Sequence, residues 1–295
     1  MTVDQLTKER ESSRTRQWEQ ALNLLYINFW DYSHDALNAF DVEDIHQARV
    51  NCRKLLTLLT LLDPQHTSGL QPILAKAHKR LGKVRDADVL IEAFKSKRKQ
   101  AKQDGDTKTA ELLKAVIKHQ KDKRKGYRKK LAAVLPELIN EQLDENWKRF
   151  LSEHLNTLAT NKDVNVVIRE LEVAYEQKKK ACKAYFRGPD TNSEGAFECL
   201  HQLRIAAKKL RYTASAAKPL LHQKFHAHEE LYKQIQAELG HINDIRNWLD
   251  MLKTTGRKEL GIGKKTWNTF IAKLESDLLA ALYQNNVIPV ASQTK

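Results

Sequence analysis

Two ten-residue stretches carry the same basic side chains in the same order. His46-Gln47-Ala48-Arg49-Val50-Asn51-Cys52-Arg53-Lys54-Leu55 is matched by His201-Gln202-Leu203-Arg204-Ile205-Ala206-Ala207-Lys208-Lys209-Leu210, an offset of 155 residues between positions 46 and 201. At about 100° per residue, His46, Arg49 and Arg53 fall within an arc of about 60° on a helix. His201, Arg204 and Lys208 do the same, and Arg211 widens that arc by about 20°. The chemistry open to such arcs is capture of anions. Arginine and lysine give charge-assisted hydrogen bonds to oxyanions, arginine bidentately, and histidine adds a donor when protonated.

The apolar positions Leu55, Leu59, Leu62 and Leu203, Ala207, Leu210 lie roughly 100–160° around the helix from these arcs. The basic stripes therefore border a core rather than the far solvent face, where like charges set together are costly without a neutralising partner. One such stripe is ordinarily solvated or paired by acids from other helices; two copies of the same stripe favour an anion site.

A second pair of motifs follows each arc. Leu81-Gly82-Lys83-Val84-Arg85-Asp86 is matched by Leu239-Gly240-His241-Ile242-Asn243-Asp244, at an offset of 158 residues. Two matches at nearly one offset predict an internal duplication, with halves at 1–160 and 161–295 of about four helices each. Further basic lines run along neighbouring segments. Lys114, Lys118, Lys121, Lys125 and Arg128 share one helical face, with no acid among them. Lys76, Lys79, Arg80 and Lys83 form a shorter line running into the first Leu-Gly motif, and Lys179, Lys183 and Arg187 form a line in the second half. Each alone reads as a solvated face; several on consecutive helices predict an extended basic surface.

The elements that must position these residues are helices. Only 10 Gly and 6 Pro interrupt the chain, and helix-period apolar spacing recurs while strand alternation does not. The spacing predicts helices over 13–38, from the Asp41 cap to 62 before Pro64, from Ser68 to 100, and, after the turn Asp104-Gly105-Asp106, to Leu135 before Pro136. The pattern stays helical over 138–160. Beyond the candidate linker Asn161-Lys162-Asp163 it predicts helices from Val164 to Gly188-Pro189-Asp190, from Ser193 to Pro219, and over 224–253 and 265–284.

The 295 residues include 51 Lys and Arg against 37 Asp and Glu, a formal net charge of +14. That surplus predicts an acidic partner. Cys52, Cys182 and Cys199 form no C-x-x-C pair, which argues against a zinc ribbon or a dithiol redox motif, and low cysteine usage suits the cytosol. Met1 to Arg16 is too polar for a secretory signal, and no apolar run is long enough to span a membrane. A soluble cytoplasmic protein is expected.

The pattern H-x-x-R-[VI]-x-x-[RK]-K-L followed by L-G-x-x-[RN]-D, present twice, resembles the CHAD domain, the conserved-histidine α-helical domain, over about Trp18 to Leu282. The resemblance implies an all-α fold of two four-helix bundles related by a pseudo-twofold duplication, with a central basic pore or groove. It implies binding of inorganic polyphosphate, with no catalysis and no cofactor, and association with polyphosphate granules. The matching positions are His46, Arg49, Arg53, Lys54, Arg85, His201, Arg204, Lys208, Lys209 and Arg211, with Asp86 and Asp244 expected to support them by ion pairing. The first copy ends Leu55-Leu56-Thr57 where the second has Leu210-Arg211-Tyr212, and Asn243 stands where the first copy has Arg85, so unequal halves are expected. Relatives of this kind often carry a triphosphate-hydrolase domain with E-x-E-x-K on a strand. Glu9-Arg10-Glu11 continues into Ser12-Ser13 without strand pattern, so that domain is not expected here.

Three other readings compete. Nucleic-acid binding fits the charge, but aromatics make up only 7%, and Trp18, Phe29, Tyr32, Phe94, Trp147 and Phe150 sit at core-like spacing rather than as stacking platforms. A phosphohydrolase would need a phosphate loop or clustered carboxylates for a metal, and Asp86 with Asp88 is the sole such pair near a motif. A metal site is hinted at by His222, His226 and His228, whose first two members could share a helix face, yet no Cys or H-E-x-x-H accompanies them. On the anion-binding reading, binding is expected to tighten as pH falls from about 8 to 6, across the ordinary histidine range.

Overall fold

The computed structural model describes residues 3–160, 162–187 and 191–289. All regular structure among them is helical: α1 (Val3–Ala39), α2 (Val42–Leu62), α3 (Leu70–Gln103), α4 (Thr107–Leu138), α5 (Glu141–Arg149), α6 (Leu155–Thr160), α7 (Val164–Tyr185), α8 (Glu194–Ala216), α9 (His228–Thr255) and α10 (Lys264–Gln284). A π-helical turn, Phe150–His154, joins α5 to α6.

Local chemistry sets these boundaries. Asp41 caps α2, its carboxylate accepting from the backbone N–H of Glu43 at 2.8 Å and of Asp44 at 3.4 Å, which satisfies donors that a helix start leaves open. Asp63 ends α2 and organises the turn to α3. Its carboxylate accepts from Thr67 N (2.9 Å), Thr67 Oγ1 (2.8 Å) and Ser68 N (2.9 Å). Burial alone would raise the Asp63 pKa, but the hydrogen bonds from Ser68 and Thr67 outweigh it and hold the carboxyl below its ordinary value. A carboxyl depressed in the folded state contributes stability above its unfolded pKa and loses it as pH falls through the folded pKa. Asp63→Asn is therefore expected to flatten the acid limb of a stability-against-pH curve, measured by urea denaturation between pH 7 and pH 2.

The α3–α4 turn contains Gly105 at φ +74°, a left-handed conformation that favours glycine. Helix α4 departs from the expected stop: it runs through Pro136 to Leu138. Proline lacks the N–H that would bond four residues back, but it sits two residues from the helix end, where losing one bond matters least.

The chain forms two compact units. The first comprises residues up to Glu92, then Gln120–Val167 and Tyr212–His226; the second comprises Ala93–His119, Ile168–Arg211 and Ala227 onward. Long helices α3 and α4 thus give segments to both. In the first unit, Trp18, Leu22 and Phe29 of α1, Ile45, Leu55 and Leu59 of α2, Leu74 and Leu81 of α3, and Trp147 and Phe150 near α5 are almost fully buried. Tyr26 stacks on Trp147 at 4.4 Å between ring centroids, and the indole N–H of Trp147 donates to Asn23 Oδ1 at 3.2 Å. In the second unit the core is built from Phe94, Leu112, Val116, Ile168, Tyr175, Leu203, Leu210, Ile242, Leu252 and Leu274. Each buried large apolar side chain of this kind stabilises the fold by roughly 2 kcal/mol.

A buried ion-pair network sits in the first unit. Asp88, 5% exposed, accepts from Arg124 at 2.7 Å and lies 3.8 Å from the Arg128 head group. Arg128 also donates to the carbonyl of Phe40 at 3.0 Å and lies over that residue's ring at 5.4 Å. Phe40 holds φ +52° between α1 and α2, a conformation uncommon for a residue with a side chain. Arg128 thus braces the corner that feeds α2.

Candidate anion-binding site

In the first unit α2 presents Arg49 and Arg53 towards α3, with His46 half-buried on the same helix. Arg49 lies across Gly82: a Cβ built on that glycine would come within 3.3 Å of Arg49 Nε. One helical turn on, Arg53 Nε donates to His78 Nε2 at 3.2 Å, and its guanidinium lies 5.1 Å from the Tyr212 ring centroid. Stacking on an aromatic face fixes the guanidinium plane without using its outer donors.

The second unit repeats the arrangement. Arg204 of α8 lies across Gly240 of α9, whose Cβ would sit 3.8 Å from Arg204 Nε. Arg211 donates to Gln236 Oε1 at 3.2 Å. His201 Nδ1 donates to Asn243 Oδ1 at 3.1 Å, which leaves Nε2 as a second donor when the ring is protonated. Nε of both Arg49 and Arg204 is buried with no hydrogen-bond partner among the described residues. The stems are thus packed against helix backbone, and the charge is not quenched at Nε.

The glycine of the Leu-Gly motif is therefore a floor. A mid-helix glycine costs about 1 kcal/mol relative to alanine, yet it occurs in both copies under the motif arginine. Gly240→Ala would make only an ordinary contact and is expected to raise stability by roughly 0.5–1 kcal/mol with anion binding unchanged. Gly82→Ala would press on Arg49, and is expected to gain less stability and to weaken polyanion binding severalfold. Urea denaturation and polyanion titration of the two variants read both effects.

Other sequence-selected residues divide by environment. Lys54, Arg80, Arg85, Lys179 and Lys208 are half-buried, whereas Lys76, Lys79, Lys83, Lys183 and Lys209 are exposed. Along α4, Lys114 and Lys118 belong to the second unit and Lys121, Lys125 and Arg128 to the first. Their four lysines are exposed. Acids one turn back engage two of them: Glu111 pairs with Lys114 at 3.2 Å and Asp122 with Lys125 at 3.5 Å. Arg128 differs from the lysines on its helical line, because Asp88 and Phe40 hold its head group.

The acidic motif positions also differ. Asp86 is exposed, and the buried carboxylate of that stretch is Asp88. Asp244 is half-buried. Burial pushes its carboxyl up, opposed first by the charge of Arg204, then by the Asn243 hydrogen bond, His241 and Lys208. It therefore lies in the electrostatic reach of the second arc. His222 and His226 do not share a helix face: they flank the short 3₁₀ turn Gln223–Phe225. Among the described residues no group of three or more His, Cys, Asp or Glu is arranged to hold a metal ion, and no helix is long and apolar enough to cross a membrane.

His78, Gln236, the glycine floors and the bond from His201 to Asn243 leave no mark in the spacing of any single helix. The one available signal was a helix-interior glycine repeated at the same place in both copies.

A model of the CHAD domain matches residues 20–253. Two uncharacterized proteins, from two strains of Mycobacterium tuberculosis, are each 29% identical over 211 residues. Those matches cover 67% of this chain but 37% of theirs, so the chain spans little more than a third of the length of these relatives. The crystal structure of the CHAD domain from the plant Ricinus communis aligns with a TM-score of 0.63 at 17% identity, over 93% of both chains. PptA from Streptomyces chartreusis aligns with a TM-score of 0.65 at 14% identity, over 92% of this chain and 96% of its own. These structural likenesses establish the fold, and the match over residues 20–253, carrying both copies of the histidine–arginine arc and of the Leu-Gly floor, shows that the chain belongs to the CHAD domain family.

Proposed function

We propose that this chain binds inorganic polyphosphate, without turning it over, through its two arcs: His46, Arg49 and Arg53 in one unit and His201, Arg204, Lys208 and Arg211 in the other. The observation that carries the reading is the repeated seat of Arg49 over Gly82 and of Arg204 over Gly240. A polyphosphate presents about one charge per unit and no base, so it asks for placed cations and nothing else. Two arcs on one chain suit a long polymer: engagement of one raises the effective concentration of phosphate at the other. The exposed lysines of α3, α4 and α7 would add attraction that salt screens. On this reading the two halves derive from a duplication, and the protein resides in the cytoplasm with polyphosphate granules.

Single-stranded nucleic acid is the second reading, favoured by the net charge of +14. It asks for exposed aromatic rings; Trp18, Phe29, Phe94, Trp147 and Phe150 are each at most 2% exposed, while Tyr32 is half-buried and the exposed rings include Tyr185 of α7 and Tyr283 of α10. Competition between long-chain polyphosphate and single-stranded DNA of equal charge, at two salt concentrations, tests the choice. Polyphosphate is expected to displace DNA at both. Displacement in proportion to charge alone would overturn the proposal.

A further inference from the structure

A covalent link ties the helix that carries the second arc to its neighbour. Cys182 of α7 and Cys199 of α8 form a disulfide, with Cα atoms 5.5 Å apart and a sequence separation of 17. That separation is the ordinary one for a disulfide. Cys199 lies two residues before His201, about 200° away around α8. The link and the basic arc therefore occupy opposite sides of one helix. On its other flank α8 meets α9 through His201 with Asn243 and Arg204 over Gly240. Helix α8 is thus held covalently on one side and by polar contacts and packing on the other. The same link fixes α7, which carries Lys179 and Lys183.

The third cysteine differs. Cys52 is a free, fully buried thiol that donates to Leu74 O at 3.3 Å, and burial pushes its pKa well above the ordinary thiol value. Such a thiol is inert. Cys199 keeps part of its surface in solvent while Cys182 has none, so exchange enters at Cys199.

We propose that Cys182 and Cys199 form a redox-controlled staple that sets the affinity of the second arc for polyphosphate, an inference that rests on the polyphosphate reading above. The co-reactant is a small-molecule disulfide, RSSR. The Cys199 thiolate attacks one of its sulfurs and expels RS⁻. The Cys182 thiolate then attacks Cys199 in the mixed disulfide and expels the second RS⁻. Two electrons pass from the protein thiols to RSSR, and their two protons end on the two RSH formed. In a compartment that keeps thiols reduced, disulfides of this kind are transient or sensing rather than constitutive. Oxidation holds Arg204 and His201 at one setting; reduction frees α8 on its α7 side, so that ordering it again opposes binding.

The test uses the full chain equilibrated with oxidised glutathione, the same chain reduced with a phosphine, and the Cys182→Ser/Cys199→Ser variant. Alkylation in denaturant counts the thiols, and calorimetry with long-chain polyphosphate gives the affinity. The oxidised chain is expected to show one thiol and the reduced chain three. The oxidised form is expected to bind about fivefold more tightly, with the serine variant matching the reduced form in either buffer. Amide exchange in α8 is expected to quicken on reduction, with or without ligand. Three thiols after glutathione treatment, or equal affinities with the thiol counts as expected, would overturn the staple alone. No polyphosphate binding in either redox state would overturn the polyphosphate reading and this inference with it.

Discussion

Replacing Arg49 and Arg204 together with alanine is expected to weaken binding of long-chain polyphosphate by about a thousandfold. A charge-assisted hydrogen bond to an oxyanion contributes roughly 1.5–3 kcal/mol, so each single variant is expected to lose about 10–100-fold. The double variant is expected to approach the product of the two, because the arginines sit in separate compact units. The slope of log affinity against log salt is expected to fall by about one for each arginine removed. Arg49→Lys and Arg204→Lys keep the charge but not the planar fork, and are expected to keep the slope while losing part of the affinity. Titrations at three salt concentrations check each step. A double variant that binds like the parent, with an unchanged slope, would move the binding surface to the exposed lysines.

The second large effect concerns stability. Arg124 holds Asp88 at 2.7 Å, and the Asp88 side chain is 2% exposed. Removing one partner of a buried pair leaves an uncompensated charge, at a cost of about 3–5 kcal/mol. Arg124→Met is therefore expected to destabilise the protein by about 3 kcal/mol, the lower end because the Arg124 side chain is 23% exposed. Arg128, at 3.8 Å from Asp88, is too distant to replace the lost hydrogen bond. Adding Asp88→Asn to Arg124→Met removes the stranded charge and is expected to restore about half of the loss. Urea denaturation of the parent, the single and the double variant reads the sequence of effects. A double variant less stable than Arg124→Met would show that Asp88 acts through something other than its charge.

The parts of this molecule legible in the sequence are those that depend on one helix at a time. The start of α2 at Asp41, the turn at Gly105 and the arcs His46–Arg49–Arg53 and His201–Arg204–Lys208 are all consequences of spacing and capping along a single segment. Pro136 misled because its position near a helix end decides whether the helix survives it, and that end is fixed by packing. What spacing alone could not reveal is what faces each side chain from another helix. Arg128 shares a helical line with Lys121 and Lys125, yet its head group is turned to Asp88 and Phe40. Asp86 occupies the motif position, but two residues on, on the other side of α3, Asp88 is the carboxylate that is buried. Asn243 looked like the loss of an arginine; in the fold it accepts a hydrogen bond from His201. The staple between Cys182 and Cys199 joins two helices across a connection, a spacing that carries no local signature.

The glycine floors explain why the two motifs travel together. The arginine three residues after the histidine crosses the opposite helix at this glycine: closely at Gly82, where a Cβ would come within 3.3 Å of Arg49 Nε, and more loosely at Gly240, where it would sit 3.8 Å from Arg204 Nε. Leu81-Gly82 and Leu239-Gly240 supply that place, with the leucines buried at 0% and 2% exposure. The leucine anchors the helix in the core and the glycine next to it opens the seat. The second motif thus prepares a setting for a residue of the first.

The arginine side chains themselves report whether polyphosphate binds at the two arcs. The Nε–H resonances of Arg49 and Arg204, assigned through Arg49→Lys and Arg204→Lys, can be followed by nitrogen-resolved NMR as polyphosphate is added. Both signals are expected to shift and saturate together, ahead of any change at the ammonium groups of Lys114, Lys118 and Lys125. Large shifts at those exposed lysines, with the Arg49 and Arg204 signals unmoved at saturation, would place binding outside the two arcs and overturn the proposed function.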